Sequence, residues 1–283
     1  MITIFSIPKP FDNNFGRIQE NAIRSWLFLE PKPEIILFGD EDGTKEICEK
    51  YKIKHFPDVS KNEYGTPLIG DIFEKAQKTA KNLILCYVNC DIIFLSDFMM
   101  AINLIKNEDK FLMVGRRWDF NLEEIDFGNP DWERNLKENV LQKGELHPPT
   151  GIDYFVFKNG LWKEIPPFSL RTVWDQWLLW RAWKIGVKII DASEIVTAIH
   201  QNHPYVNKNS KFFDPWKTKE AKINLKLAGG YKHCLTIEDA DYFLTLKGIE
   251  KKSGMSFIRR LDLLPVIGIL TRQRFKIKRI FKK

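Results

Sequence analysis

The chain has 283 residues, 44% hydrophobic and 29% charged, with a formal net charge of +7. This is enough apolar material for one large core, and it excludes a disordered or collagen-like chain. Cys48, Cys86, Cys90 and Cys234 stand at spacings that fit neither a disulfide framework nor a zinc ribbon, which predicts a reducing compartment. The charge is concentrated at one end. Nine lysines or arginines lie between Arg259 and Lys283 against a single acid, Asp262, so the body of the chain is nearly neutral.

In chain order, residues 2–7 read as a short buried strand that ends in the rigid loop Pro8-Lys9-Pro10. A helix is predicted over 17–30, with Ile18, Ala22, Ile23, Trp26 and Leu27 as its inward stripe. Strand 34–38 empties into the acidic turn Gly39-Asp40-Glu41-Asp42-Gly43. There Asp40 either holds a ribose hydroxyl, as such carboxylates do in βαβ units, or belongs to a solvated turn. Helix 44–52 and strand 53–56 lead to loop 59–67. Its Gly65 permits close backbone approach, and Thr66-Pro67 open helix 68–81, whose first amides face an anion.

The pivotal stretch follows. The apolar run before Asn89 reads as a strand buried on both faces, and it delivers Asn89 and Asp91 at its carboxyl end. Open α/β sheets bind ligands at that edge, and a carboxylate there suits a divalent cation carrying a phosphate. Taken alone, Asp91 is equally a turn or N-cap residue. Helix 97–106 and strand 111–115 come next, and the strand empties into Arg116-Arg117-Trp118-Asp119. One of the two arginines is placed for a phosphate or acceptor contact through its planar fork, the other for pairing with Asp119. This alternation predicts an α/β fold with a mostly parallel, doubly wound sheet. Residues 122–147 break the alternation and read as a polar, weakly helical insertion over the sheet edge. Beyond it come a strand at 151–157 with Asp153 near its start and a helix at 173–183 opening at Trp174-Asp175. A strand at 187–191 and a segment at 195–199 then end in His200-Gln201-Asn202-His203.

The ordered series Gln19-Glu-Asn-Ala-Ile-Arg-Ser-Trp26, Ile35-Ile-Leu-Phe-Gly-Asp40, Gly65-Thr-Pro67, Tyr87-Val-Asn-Cys-Asp91, Gly115-Arg-Arg-Trp-Asp119, Asp153-Tyr-Phe155, Trp174-Asp-Gln-Trp177 and Ile199-His-Gln-Asn-His203 resembles the GT-A glycosyltransferases, the nucleotide-diphospho-sugar transferases. The resemblance covers roughly residues 1–250. It implies one GT-A-type domain, with residues 1–119 as the nucleotide-sugar half and 120–250 as the acceptor and catalytic half. It further implies a nucleotide-diphosphate sugar as donor, a glycan or lipid-linked acceptor, and Mn2+ or Mg2+ as cofactor.

The family's DxD motif reads here Asn89-Cys90-Asp91, a departure that removes one negative charge and leaves Asp91 as the direct metal contact. His200 stands where many members place a further metal ligand, and His203 competes with it. Pro8, Asp40, Asn62, Gly65, Thr66, Asn89, Arg116 and Arg117 are then the expected donor-binding positions. Inverting members keep a carboxylate base where Asp175 stands, with Asp153 as second choice; the other reading of Asp175 is a first-turn helix residue. Trp118 and Trp174 either stack on acceptor sugars or belong to the core.

Residues 251–283 read as a basic amphipathic tail broken by Pro265 and Gly268, suited to lying on an anionic membrane surface. Its leucines and isoleucines argue against nucleic acid as partner. No secretory leader is expected, and no stretch approaches the roughly 20 apolar residues of a membrane span, so a cytoplasmic, peripheral location on the inner membrane face is expected. The competing functions are a sugar-nucleotide hydrolase or nucleotidyltransferase on a similar sheet, and a non-catalytic membrane-bound scaffold.

Overall fold

The computed structural model describes residues 1–12, 15–122, 124–203 and 215–252. The expected membrane-binding tail, apart from its first two residues, lies outside the described residues.

The first half of the chain alternates as expected: β1 (Ile2–Ser6), α1 (Gly16–Leu27), β2 (Glu34–Phe38), α2 (Thr44–Tyr51), β3 (Lys54–Phe56), α3 (Ile69–Thr79) and β4 (Ile84–Val88). Then come β5 (Ile92–Ile93), α4 (Ser96–Ile105), β6 (Phe111–Val114), β7 (Arg117–Phe120), α5 (Trp132–Lys143), β8 (Glu145–Leu146) and β9 (Tyr154–Lys158). The remainder is α6 (Trp174–Lys184), β10 (Lys188–Asp191), β11 (Ala198–Gln201), α7 (Lys219–Leu227), β12 (Tyr242–Thr245) and β13 (Gly248–Lys251).

A nine-stranded sheet runs β13-β12-β10-β6-β9-β4-β1-β2-β3. Every residue of β1 and β4 is buried, because helices cover both faces. Side-chain alternation along β4 divides the core. Ile84, Cys86 and Val88 pack with Ala22, Ile23 and Trp26 of α1 and Phe98 of α4, while Leu85 and Tyr87 pack with Phe73 of α3 and Trp174 and Trp177 of α6. The sheet is parallel except at β9, which runs antiparallel between β4 and β6, and at the terminal hairpin of β12 with β13. A strand buried on both faces reads the same in either direction, so the apolar pattern of β9 carries no sign of its reversal.

A second sheet, β5-β11-β7-β8, is built from strands of two to four residues. Sequence periodicity does not register such short, mixed-polarity strands. The second sheet gives residues 117–120, into which β6 empties, a strand of their own, and it carries the segment expected to end at Ile199 on through His200 to Gln201. The insertion at 122–147 contains α5, whose Leu136 and Val140 pack with Ile93, Leu95 and Ile199. Lys137 Nζ anchors it to the buried Asp97 Oδ2 at 2.8 Å. Among the described residues, no helix is long and apolar enough to cross a membrane.

Candidate active site

Strand order brings the ends of β1 and β4 and the start of β9 to one edge of the large sheet, where Val88 pairs with Tyr154. The loop after β1 is held by a buried amide: Lys9 N–H donates to Gln19 Oε1 at 2.6 Å, and Gln19 Nε2 donates back to Lys9 O at 2.9 Å. Gln201 closes the same corner. Its Nε2 donates to Ile18 O at 2.8 Å and to Asp91 O at 3.3 Å, while its Oε1 accepts from Asn21 Nδ2 at 3.0 Å. These buried amides on α1 and β11 fix the loop that carries Asp91, since each would be costly to leave unpaired.

Asp91 Oδ2 lies 3.4 Å from His203 Nε2 and 3.8 Å from His200 Nε2. One ligand atom from each of the three residues falls within 4.8 Å of the others. Asp91 Oδ1 is shut off from solvent and accepts no hydrogen bond among the described residues. Burial pushes the Asp91 carboxyl up, but the His203 hydrogen bond and the charges of His200 and Lys9 outweigh it and hold it at about 2. A carboxylate, two imidazole Nε2 atoms and an orphaned buried oxygen fit a divalent ion.

Behind this cluster runs a chain of polar contacts. His200 Nδ1 sits 3.1 Å from Asp119 Oδ1, off the line of a good hydrogen bond. Asp119 also holds His147 Nδ1 at 2.5 Å and Arg117 Nε at 2.9 Å. Arg117 Nη1 in turn spans both oxygens of Asp153 at 2.9 Å. Asn89 completes the line: its Nδ2 donates to Asp153 Oδ1 at 2.8 Å, and its Oδ1 accepts from Tyr87 Oη at 3.1 Å. A carboxylate at position 89 would stand against Asp153, so the amide suits this place. Burial raises Asp119, yet His147 and Arg117 bring it below its usual range. Burial and the Arg117 guanidinium lower His200, against the pull of Asp91, Asp153 and Asp119.

Asp175 is in the first turn of α6, two residues after Val173, whose φ of 91° is strained for a β-branched residue. Its Oδ1 is out of solvent with no hydrogen-bond partner among the described residues. Burial, joined by the negative charge of Asp153, pushes its carboxyl up to about 7, against the lowering effect of backbone amides at Gln176, Asp175 and Val173. The buried Tyr87 hydroxyl feels Asp91, Asp153 and Asp175 together, which sets all three around one side chain.

The other expected positions divide into several groups. Pro8 is buried at the Asp91 edge. Asp40 is exposed and paired with Lys61 Nζ at 2.6 Å. Asn62 Oδ1 accepts from the amides of Tyr64 and Thr66, both at 2.9 Å, and its Nδ2 donates to Glu220 Oε1, so this loop is fastened to the first turn of α7. Gly65, at φ 75°, has open space where a Cβ would stand. Arg116 is committed to the carbonyls of His147 and Leu146 at 2.7 and 3.1 Å, and Arg117 to two carboxylates. Trp174 is 5% exposed and packs against Tyr87 and Phe155 in the core, while Trp118 packs against the α5 cluster. His147, Gln19 and Gln201 are absent from the sequence reading as site residues. A lone His in an insertion and glutamines on a helix and a strand give no local signal of what they hold.

No protein-family model matches the sequence, and comparison with curated proteins finds no relative. Solved structures are similar in fold. One is residues 1–349 of S. aureus TarS in complex with UDP-GlcNAc, 17% identical, with a TM-score of 0.50, over 81% of this chain and 65% of that one. Another is GalNAc-T7 with UDP, GalNAc and Mn2+, 13% identical, with a TM-score of 0.52, over 81% of this chain and 48% of that one. The chain thus spans somewhat under two thirds of the first protein's length and about half of the second's, and at these identities the likeness is one of fold. The chain has the GT-A fold of the nucleotide-diphospho-sugar transferases.

Proposed function

We propose that the protein is a metal-assisted glycosyltransferase that moves a sugar from a nucleotide-diphosphate sugar to a glycan or lipid-linked acceptor, with inversion at the anomeric carbon. The observation that carries this reading is the pairing, at one sheet edge, of the Asp91, His200 and His203 cluster with the half-buried carboxyl of Asp175, whose Oδ1 is shut off from solvent and which is poised near neutrality. The complexes of TarS with UDP-GlcNAc and of GalNAc-T7 with UDP and Mn2+ support a uridine diphosphate donor.

Asp91, His200 and His203 would hold the ion, which when bound draws off the charge developing on the departing diphosphate. Lys9, whose charge reaches Asp91, adds to that field. Asp175 takes the proton from the acceptor hydroxyl as its oxygen bonds to the anomeric carbon and the bond to the diphosphate breaks. A carboxyl near 7 can accept that proton at neutral pH, whereas Asp153 is tied to Arg117 and Asn89 and serves to orient them. Asp40, Asn62, Gly65 and Thr66 line the nucleotide side in this reading.

Calorimetric titration with a panel of nucleoside diphosphates and their sugars, with Mn2+ and with chelator, tests it. Binding of one donor class only in the presence of metal is expected; silence across the panel would favour the scaffold. Rapid turnover of donor without acceptor would mark a hydrolase instead. The basic tail is proposed to hold the enzyme on anionic lipid at the cytoplasmic membrane face. Truncation after Lys252 is then expected to release the protein from anionic vesicles in a flotation assay, and undiminished flotation would remove the anchor.

A further inference from the structure

The ligand cluster carries a consequence for which ion it takes, and when; this rests on the reading above that Asp91, His200 and His203 are the metal centre. We infer that the centre binds a first-row transition ion on its own, before any nucleotide arrives, and discriminates against Mg2+.

The donor set is the first argument. Mg2+ demands near-octahedral oxygen coordination and keeps several waters, so it is held mainly by carboxylates and substrate phosphates. Here the protein offers one carboxylate and two imidazoles, a set that suits Mn2+, Co2+ and Zn2+ and follows the usual rise in affinity along that row. The oxygen that would make the site harder is engaged elsewhere. Asn89 spends both ends of its amide on Tyr87 and Asp153, which leaves it outside the ligand set.

The second argument is rigidity. Asp91 immediately precedes β5, and in the second sheet His200 is registered opposite Ile92 on one side and Asp119 on the other. Backbone pairing thereby sets Asp91 beside His200 whether or not nucleotide is present. Gln201 fastens the Asp91 carbonyl, and the His203 ring lies edge-on to Phe15 with centroids 4.8 Å apart. Two edges of the cluster, 3.4 and 3.8 Å, are close to the roughly 3.4 Å expected between ligands on bonds of about 2.1 Å in a tetrahedral site. The last edge is at most 4.8 Å. Three protein ligands leave a further position open for a diphosphate oxygen.

The third argument concerns Asp119. Its carboxylate faces Nδ1 of His200, on the side of the ring away from Asp91, and is itself fixed by Arg117 and His147. The 3.1 Å approach is off the line of a good hydrogen bond, but the negative charge beside Nδ1 favours a proton there and leaves Nε2 free for the ion, so Asp119 is a positioning residue.

The test uses the full chain, stripped with chelator, titrated with Co2+ in the absence of nucleotide and followed by visible d–d absorption. One equivalent of Co2+ is expected to bind with nitrogen-ligand bands, to be displaced by Zn2+, and to resist a large excess of Mg2+. His203→Ala and Asp119→Asn are each expected to weaken Co2+ binding about 10- to 100-fold, while the far-ultraviolet spectrum and urea midpoint show a folded chain. Absence of Co2+ binding to wild type without nucleotide, equal competition by Mg2+, or full affinity in His203→Ala would each overturn the inference. Donor titration separates the two claims. A Co2+ site in a protein that binds no nucleotide-sugar sinks the transferase and keeps the centre. Donor binding supported equally by Mg2+, with no free-standing Co2+ site, does the reverse.

Discussion

Asp175→Asn is expected to cut turnover about 10²- to 10⁴-fold, the range for loss of a general base, while metal-dependent donor affinity is unchanged. The amide matches the carboxyl in shape and cannot take the acceptor proton. Wild-type kcat should fall on the acid side of a limb near 7, where burial places the Asp175 carboxyl, and the variant should lose that limb. Stability supplies an independent readout. The carboxyl titrates near 3.9 in an unfolded chain and near 7 here, so the folded state holds the proton more tightly over that window. Wild-type stability from this group is therefore fully present below about pH 4 and is lost as pH rises through about 7. A neutral amide escapes the loss. Asp175→Asn should exceed wild type by on the order of 2 kcal/mol at pH 8 and by little near pH 4, in urea unfolding. Unchanged turnover, or a stability difference independent of pH, would take Asp175 out of the base role.

That Asp175 could be singled out at all shows where the sequence speaks and where it does not. The alternation of apolar strands with amphipathic helices from Ile2 to Val114 is legible because each element is long enough to repeat its period, and the doubly wound sheet follows from it. Asp91 is legible as the residue at the carboxyl end of the most uniformly apolar strand. What the pattern does not contain is the meeting of distant short pieces. β5, β7, β8 and β11 hold their shape through pairing with strands from 26 to 108 residues away along the chain, and their side chains follow no period of their own. For that reason Asp119 reads only as a neighbour of Arg117, and His147 as one polar residue in an insertion, although they stand behind His200. The arginines illustrate the converse. Arg116 and Arg117 follow a strand as phosphate-binding forks often do, but carbonyls and carboxylates already occupy them, which only the folded chain reveals.

Asp91→Ala is expected to remove metal-dependent donor binding and to lower kcat/KM by about 10³-fold or more, because metal stabilisation of a departing diphosphate is worth several kcal/mol. Two arguments make the effect large. Asp91 is the sole carboxylate in the three-residue cluster, so its loss leaves only two imidazoles facing a dication. Its charge also holds together the corner around it. The carboxyl stands at about 2, and the depressed value means that its contribution to stability is present above about pH 4 and lost as pH falls through about 2. Asp91→Ala should therefore destabilise the chain at pH 7, by about 1–3 kcal/mol, with a difference that narrows in acid. Asp91→Asn separates the two effects. It retains the volume and one acceptor oxygen, so it should fold nearly as well as wild type at neutral pH while still failing to hold the ion. Isothermal titration of each variant with Mn2+ and then with donor reads the outcome. Wild-type donor affinity in a folded Asp91→Asn protein would detach the metal from Asp91 and leave Asp175 without the leaving-group assistance on which its role as base depends.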